Sequence, residues 1–100
     1  MFRFERSGTV KHIDDLPAAR KFAAEVTSYL NKRYDLKLKT GVEMFGEPSV
    51  HWYYDFESLD KQAELNTTLL QDRDYLAMVN NTDNIWIEGS LKDRIVSLLG

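Results

Sequence analysis

The sequence contains no cysteine and no long run of apolar residues among its 100 residues. Without cysteine, the chain has no disulfide framework, no thiolate nucleophile and no cysteine-ligated zinc or iron–sulfur site. Charged residues interrupt the N-terminal segment at Arg3, Glu5 and Arg6, where a secretion signal needs an apolar core. No stretch approaches the ~20 apolar residues of a membrane span. We therefore expect a cytoplasmic protein that has no membrane partner.

Histidine and clustered basic charge are also scarce. The only histidines are His12 and His51, and the formal net charge is −3. Because nucleic-acid backbones attract clustered Lys and Arg, this mildly acidic composition disfavours a nucleic-acid partner. A metal site would have to rely on carboxylates such as Asp72 and Asp74, which are more typical of solvated helix caps. We predict neither a metal nor a cofactor.

The densest aromatic stretch is Ser49–Ser58, which reads Ser-Val-His-Trp-Tyr-Tyr-Asp-Phe-Glu-Ser. Aromatic and β-branched residues favour a pleated, half-buried surface, so this stretch predicts a central β-strand. Because side chains alternate along a strand, the two faces separate into an apolar set and a mixed polar set. The apolar face carries Val50, Trp52, Tyr54 and Phe56, and the other face carries His51, Tyr53 and Asp55.

The segments before the aromatic strand predict two further strands and a helix. Apolar and charged residues alternate in Phe2–Arg6 and Leu36–Phe45, which indicates strands with one face toward a core. Between them, apolar residues recur at helical spacing from Leu16 to Leu30 and predict a helix that packs on one side. We expect an Asp cap and Pro17 to begin this helix, which ends near Tyr34.

After the aromatic strand, the pattern predicts two helices, one strand and a terminal helix. Ser58 is expected to cap a helix with an apolar face formed by Leu59, Ala63, Asn66 and Leu70, with Leu65 and Leu69 beside it. The stripe changes register at Gln71–Asp74, which indicates a second short helix. Ile85–Ile87 predicts the fourth strand. Ser90 is then expected to cap a C-terminal helix carrying Leu91, Ile95, Leu98 and Leu99.

The predicted order is β-α-β-β-α-β with an extra C-terminal helix. This is the ferredoxin-like pattern of the α+β class, in which a four-stranded antiparallel sheet carries two helices on one face. A chain of this length suits one modest core, so we predict a single ferredoxin-like domain spanning residues 1–100.

Three short segments carry a resemblance to a known superfamily. Asp55–Asp60, Asp72–Tyr75 and Ile85–Asp93 resemble the second half of dimeric α+β barrel proteins, in particular the NIPSNAP-like and antibiotic-biosynthesis-monooxygenase-like branches. The resemblance implies a homodimer whose two sheets face each other as a barrel, with a ligand cavity in each subunit. The superfamily includes cofactor-free monooxygenases, isomerases and haem-degrading enzymes, so the fold alone selects no reaction. Haem-degrading relatives use a histidine on the second helix, and this chain has none after His51.

The resemblance places the dimer interface on the sheet face that carries His51 and Tyr53. Three basic and three acidic residues share that face in the predicted strands, and their charges could pair across an interface. Unpaired charges would be costly there. The alternative is a monomer that leaves this face in water, as antiparallel sheets commonly do.

The opposite face predicts a cavity for an apolar or amphipathic molecule, such as a fatty-acyl compound or a flat aromatic. Large rings, a flexible thioether and few charges suit such a ligand, and Asn66 with the Tyr54 hydroxyl could orient one polar group. An oxygenase or isomerase reaction there would have to use Tyr54, Asn66 or His51. The same side chains could instead only fill the core of a structural or regulatory dimer, and a third alternative is an open sheet that binds nucleic acid through Tyr53 and His51. The predicted ligand-binding residues are Phe4, Phe22, Leu38, Met44, Trp52, Tyr54, Asn66 and Leu70.

Overall fold

The computed structural model describes residues 1–43 and 45–100. Within these residues, four strands pair antiparallel in the order β2-β3-β1-β4, and three α-helices cover one face of the sheet. This is the ferredoxin-like α+β fold, which confirms the fold class predicted from the sequence. The strands are β1 (Phe2–Thr9), β2 (Lys39–Val42), β3 (Ser49–Phe56) and β4 (Lys92–Ser97), and the helices are α1 (Leu16–Tyr34), α2 (Leu59–Leu69) and α3 (Arg73–Asn80).

Strand β3 lies inside the sheet, paired with β1 on one side and β2 on the other. Its Val50, Trp52 and Tyr54 side chains are buried against the helices, whereas Tyr53 and Asp55 are exposed on the opposite face. The predicted division of the aromatic strand is therefore confirmed. We call the face toward the helices the inner face and the opposite one the outer face.

Helix α1 packs through the stripe that the sequence predicted, since Ala19, Ala23, Val26 and Leu30 are buried. It ends at Asp35, whose left-handed backbone (φ 52°) stops the helix. The predicted side-chain cap is absent, because Asp15 makes no capping hydrogen bond. Asp15 is the last residue of a 3-10 turn and has right-handed helical backbone angles. A residue whose side chain caps a helix normally has an extended backbone.

The C-terminal part of the prediction is wrong. Residues Lys92–Ser97 form strand β4 instead of an extra helix, and Ile85 ends a 3-10 turn. Trp86 makes only an isolated bridge with Val10. Lys92–Ser97 are extended because they pair with six residues along the edge of β1. Two ion pairs between side chains of the two strands add to this pairing.

Helices α2 and α3 are separate, as the break in the pattern predicted. Ser58 caps α2 and Asp72 caps α3, each through its side-chain oxygen. The predicted face of α2 is wrong, since Leu59 and Leu70 are 52% and 73% exposed. Gln62 is buried instead, because it receives the Tyr54 hydroxyl from the sheet.

Candidate functional site

A cavity of about 550 Å³ lies between the inner face of the sheet and the three helices. Its base comes from strands β1 and β3, and its walls come from the apolar sides of α1, α2 and α3. Apolar side chains dominate the lining, and a few polar groups interrupt them. The apolar lining includes Phe4, Phe22, Val26, Leu30, Leu36, Leu38, Trp52, Leu65, Leu69 and Trp86, and the polar part includes Arg6, Tyr54, Gln62, Asn66 and Tyr75.

Most of the residues predicted to bind a ligand meet around this cavity. Phe4, Phe22, Leu38, Trp52, Tyr54 and Asn66 all line it. Leu70 does not, because the phase of α2 turns it toward solvent. Met44 lies outside the described residues. Ligand binding by the six lining residues stays a prediction.

Three aromatic side chains form one wall of the cavity. Phe22, Trp52 and Trp86 contact one another edge to face, with ring centroids 6.0, 6.1 and 6.1 Å apart. This arrangement is the one that aromatic quadrupoles favour. The indole N–H of Trp52 is buried and has no acceptor among the described residues. The wall therefore presents a broad apolar surface to the cavity.

A short hydrogen-bonded chain crosses the polar part of the cavity. The Tyr54 hydroxyl donates to Oε1 of Gln62, and Nε2 of Gln62 donates to Oδ1 of Asn66 over 3.4 Å. Burial raises the pKa of the Tyr54 hydroxyl, so this group is neutral at physiological pH. The chain can therefore offer and accept hydrogen bonds without carrying charge.

Arg6 is the cationic group that sequence reasoning missed. On β1 it alternates in phase with Phe4, so its side chain also lies on the inner face. Nε and Nη2 each donate to the Asp93 carboxylate over 2.7 Å, and Nη1 donates to the Tyr75 hydroxyl over 3.3 Å. The hydrogen bond to Asp93 raises the pKa of Arg6, which keeps it charged. The strand period alone was enough to place it there.

Asp72 joins α1 to α3 beside the cavity. Its side chain is 4% exposed and accepts hydrogen bonds from the hydroxyls of Tyr29 and Tyr34, with Arg33 Nε at 3.4 Å. It also accepts from the backbone N–H of Tyr75 over 3.1 Å. The hydrogen bond from Tyr34, followed by those from Tyr29 and Tyr75, lowers the pKa of Asp72 to about 2. The saturated carboxylate fixes the helices and is not free to act as a base.

The outer face carries His51 and Tyr53, the residues predicted to meet a second subunit. Nε2 of His51 is 3.1 Å from Oε1 of Glu43, and the Tyr53 ring lies under the Arg3 guanidinium. Two further ion pairs on this face join Arg3 to Asp55 and Arg94 to Glu5. Arg3, Asp55, Arg94 and Glu5 are therefore paired within one chain, whereas Lys39 and Lys92 on the same face have no ion-pair partner among the described residues. His51 cannot reach the cavity, because the sheet separates it from the inner face.

Within residues 1–43 and 45–100, no group of three His, Asp or Glu side chains is placed to hold a metal ion. Over the same residues, no helix is both long and apolar enough to cross a membrane.

The fold and the cavity define a ferredoxin-like α+β protein with an apolar interior site. No protein-family model and no curated protein sequence matches the chain. The chain is similar in structure to solved NIPSNAP family proteins and antibiotic biosynthesis monooxygenases. Protein Atu4242 from Agrobacterium tumefaciens, a NIPSNAP family protein of unknown function, is 20% identical with a TM-score of 0.82, and the match covers 99% of this chain and 94% of that one.

Two further structures show the same likeness. The NIPSNAP family protein Atu5224 from Agrobacterium tumefaciens is 19% identical with a TM-score of 0.81, over 98% of this chain and 92% of that one. An antibiotic biosynthesis monooxygenase is 8% identical with a TM-score of 0.76, over the full length of both chains. At these identities the likeness establishes a shared fold. The resemblance to these two branches, inferred from the sequence, is confirmed at that level.

Proposed function

We propose that the protein binds a small apolar or amphipathic molecule in the cavity between its sheet and helices. The cavity of about 550 Å³ carries this proposal. Protein interiors pack as densely as organic crystals and hold few voids larger than a water molecule. Ligand pockets are typically ~300–1,000 Å³, mostly apolar, with a small number of polar groups. The volume and lining of this cavity match that description.

The cavity also supports binding over a purely structural role. Residues that only fill a core would leave no space of this size between sheet and helices.

Extraction of the purified protein with organic solvent, followed by mass spectrometry, tests the proposal directly. We expect a co-purifying small molecule, or a rise in melting temperature when fatty-acyl or aromatic compounds are added. Absence of both would contradict binding.

A matched pair of variants localises the site. Leu65 and Leu70 are leucines of the same helical segment, but only Leu65 lines the cavity. Leu65→Phe reduces the space available and is expected to weaken binding by about tenfold or more. Leu70→Phe enlarges an exposed side chain and is expected to leave the affinity unchanged. Equal affinities of both variants, measured by calorimetry, would place the ligand elsewhere.

We further propose that two chains associate through their outer faces, as the resemblance to dimeric α+β barrels implies. Tyr53 is 36% exposed and Val96 38% exposed on that face, so it offers apolar area between ion pairs. The pairing of Arg3 with Asp55 and of Arg94 with Glu5 supports burial of the face, because each of these charges already has a partner. The same pairing disfavours nucleic-acid binding there, since it leaves less cationic charge free for phosphates.

A cofactor-free oxygenase or isomerase reaction is the second candidate function. The chain formed by Tyr54, Gln62 and Asn66 favours it, because these groups could hold an enol or phenol in position. Oxygen uptake with electron-rich phenols tests the oxygenase reaction. Binding without any uptake or change of the compound would leave a carrier or sensor role in its place.

A further inference from the structure

A charged guanidinium is unusual on the wall of an apolar cavity. Arg6 lies directly across from Trp52 in the β1–β3 pairing and across from Asp93 in the β1–β4 pairing. Its guanidinium carbon is 5.6 Å from the centre of the Phe4 ring. The hydrogen bonds to Asp93 and Tyr75 and the contact with the Phe4 ring therefore hold this long side chain in one orientation on the inner face.

The guanidinium has unused hydrogen-bonding capacity. An arginine side chain carries five N–H groups. Two of them donate to Asp93 and one donates to Tyr75, so two have no acceptor among the described residues. Arginine presents such groups as a rigid fork whose geometry matches a carboxylate.

The location of Asp93 outside the cavity lining leaves the positive charge of Arg6 facing the cavity. Asp93 belongs to the edge strand β4 and does not line the cavity, whereas Arg6 and Tyr75 do. The Asp93 side chain is also the more exposed of the pair, at 42% against 32% for Arg6. Water therefore screens the carboxylate more than the guanidinium. The other charged residues of the lining, Lys11, Asp83 and Glu88, are exposed.

We propose that the ligand of this cavity carries a carboxylate that binds the two free N–H groups of Arg6, while its apolar body packs against Phe22, Trp52 and Trp86. This inference rests on the proposed binding function and names the chemical class of its ligand. Asp93 is a positioning residue, because it orients the guanidinium and does not line the cavity. Tyr75 lines the cavity and accepts a hydrogen bond from the same guanidinium.

Two isosteric pairs of compounds test the inference by calorimetry at pH 7.5. Decanoate is compared with decanamide, and 2-naphthoate with 2-naphthamide. Each pair shares one apolar body and differs in charge. Since a charge-assisted hydrogen bond is about twice as strong as a neutral one, we expect at least one acid to bind about tenfold tighter than its amide.

Two variants change this preference in opposite directions. Arg6→Gln is expected to lower the affinity for the acid to that for the amide. Its retained affinity for the amide shows that the cavity is still folded. Asp93→Asn removes the competing negative charge but keeps an amide oxygen that can accept from Arg6 and orient it. This variant is therefore expected to raise the ratio of acid to amide affinity severalfold.

The outcomes separate this inference from the proposed function. If the amides bind as tightly as the acids, or if Arg6→Gln keeps the preference for the acid, the carboxylate inference is overturned and cavity binding stands. If the wild-type protein binds none of the four compounds and extraction yields no molecule, the proposed function is overturned together with the inference.

Discussion

Gly8 is placed where the aromatic wall needs space. A Cβ atom at this position would lie 3.3 Å from Cε3 of Trp86, closer than a relaxed contact. The missing side chain lets the Trp86 indole lie over the sheet and complete the cluster with Phe22 and Trp52. The shape of the cavity therefore depends on glycine at position 8 as well as on the three aromatic rings.

Gly8→Ala is expected to displace Trp86 and to lower the free energy of unfolding by about 1–3 kcal/mol, the usual cost of overpacking. Urea denaturation measures this change, and near-ultraviolet circular dichroism reports the altered indole environment. Gly41→Ala is the matched control, because a Cβ there meets nothing within 4 Å. If both variants unfold at the same urea concentration, Gly8 does not serve as a space for Trp86.

The site residues differ in how far the sequence could predict them. The inner positions of Trp52 and Tyr54 follow from the two-residue period of a strand, which is a local property. Arg6 obeys the same period, so its inner position could have been predicted, but it was not assigned to a face. The predicted inward position of Leu70 was wrong, because residues 59–70 contain two apolar stripes and the sequence does not show which one packs against the sheet. The hydrogen bond from the Tyr54 hydroxyl to Gln62 favours packing of the helix through the side that carries Gln62. This contact joins two elements and cannot be predicted from a local pattern.

The junction between α2 and α3 shows how one side chain can order two elements. Asp72 begins α3 by accepting the Tyr75 N–H, and it receives two hydroxyls from α1. Burial, followed by the hydrogen bond to Asp72, raises the pKa of Tyr29 to about 12, so that hydroxyl remains a donor at all ordinary pH values. The helix that carries Tyr75 and Val79 to the cavity is thereby attached to α1.

Asp72→Asn is expected to destabilise the protein in a pH-dependent way. The folded protein lowers the pKa of Asp72 from 3.8 to about 2, so the ionised carboxylate contributes stability above pH 4. That contribution is lost as the pH falls through the folded pKa. The difference between wild type and variant in urea denaturation should therefore be largest near neutral pH and shrink toward pH 2.

Asp74→Asn provides the control for this experiment, because it changes an exposed carboxylate in the same helical turn. It is expected to cost less stability than Asp72→Asn at pH 7. A gap between wild type and Asp72→Asn that stays constant from pH 7 to pH 2 would show that the ionised carboxylate is not the stabilising form.

Strand β4 marks the limit of element prediction from local pattern. Leu91, Ile95, Leu98 and Leu99 are spaced as on a helix, but short apolar segments do not distinguish helix from strand by period alone. Pairing with β1 decides the outcome, and Arg6 and Asp93 are 87 residues apart in the chain. Partners this distant leave no trace in a local window, so the sequence predicted the sheet but assigned its last strand to the wrong residues.

For the whole molecule, the order of elements predicted the fold, and the partner of the outer face stays a prediction. Tyr53 lies on the outer face of β3, away from the cavity, opposite Glu5 and under the Arg3 guanidinium. In the proposed dimer, a carboxylate at this position would replace an apolar ring by a buried charge, opposite Glu5 on β1 and Lys39 on β2. Removing a carboxylate from water costs several kcal/mol, and attraction to a nearby cation repays this only when the geometry of the pair is good.

Tyr53→Glu is therefore expected to raise the dissociation constant of the dimer by at least an order of magnitude. Light scattering coupled to gel filtration, over a range of protein concentrations, measures this change. Thr67→Glu adds the same charge on the exposed side of α2 and is expected to leave the dimer intact. Because Tyr53 is separated from the cavity by the sheet, Tyr53→Glu should also retain ligand binding. A wild-type chain that stays monomeric at all concentrations would overturn the dimer and leave the cavity proposal standing.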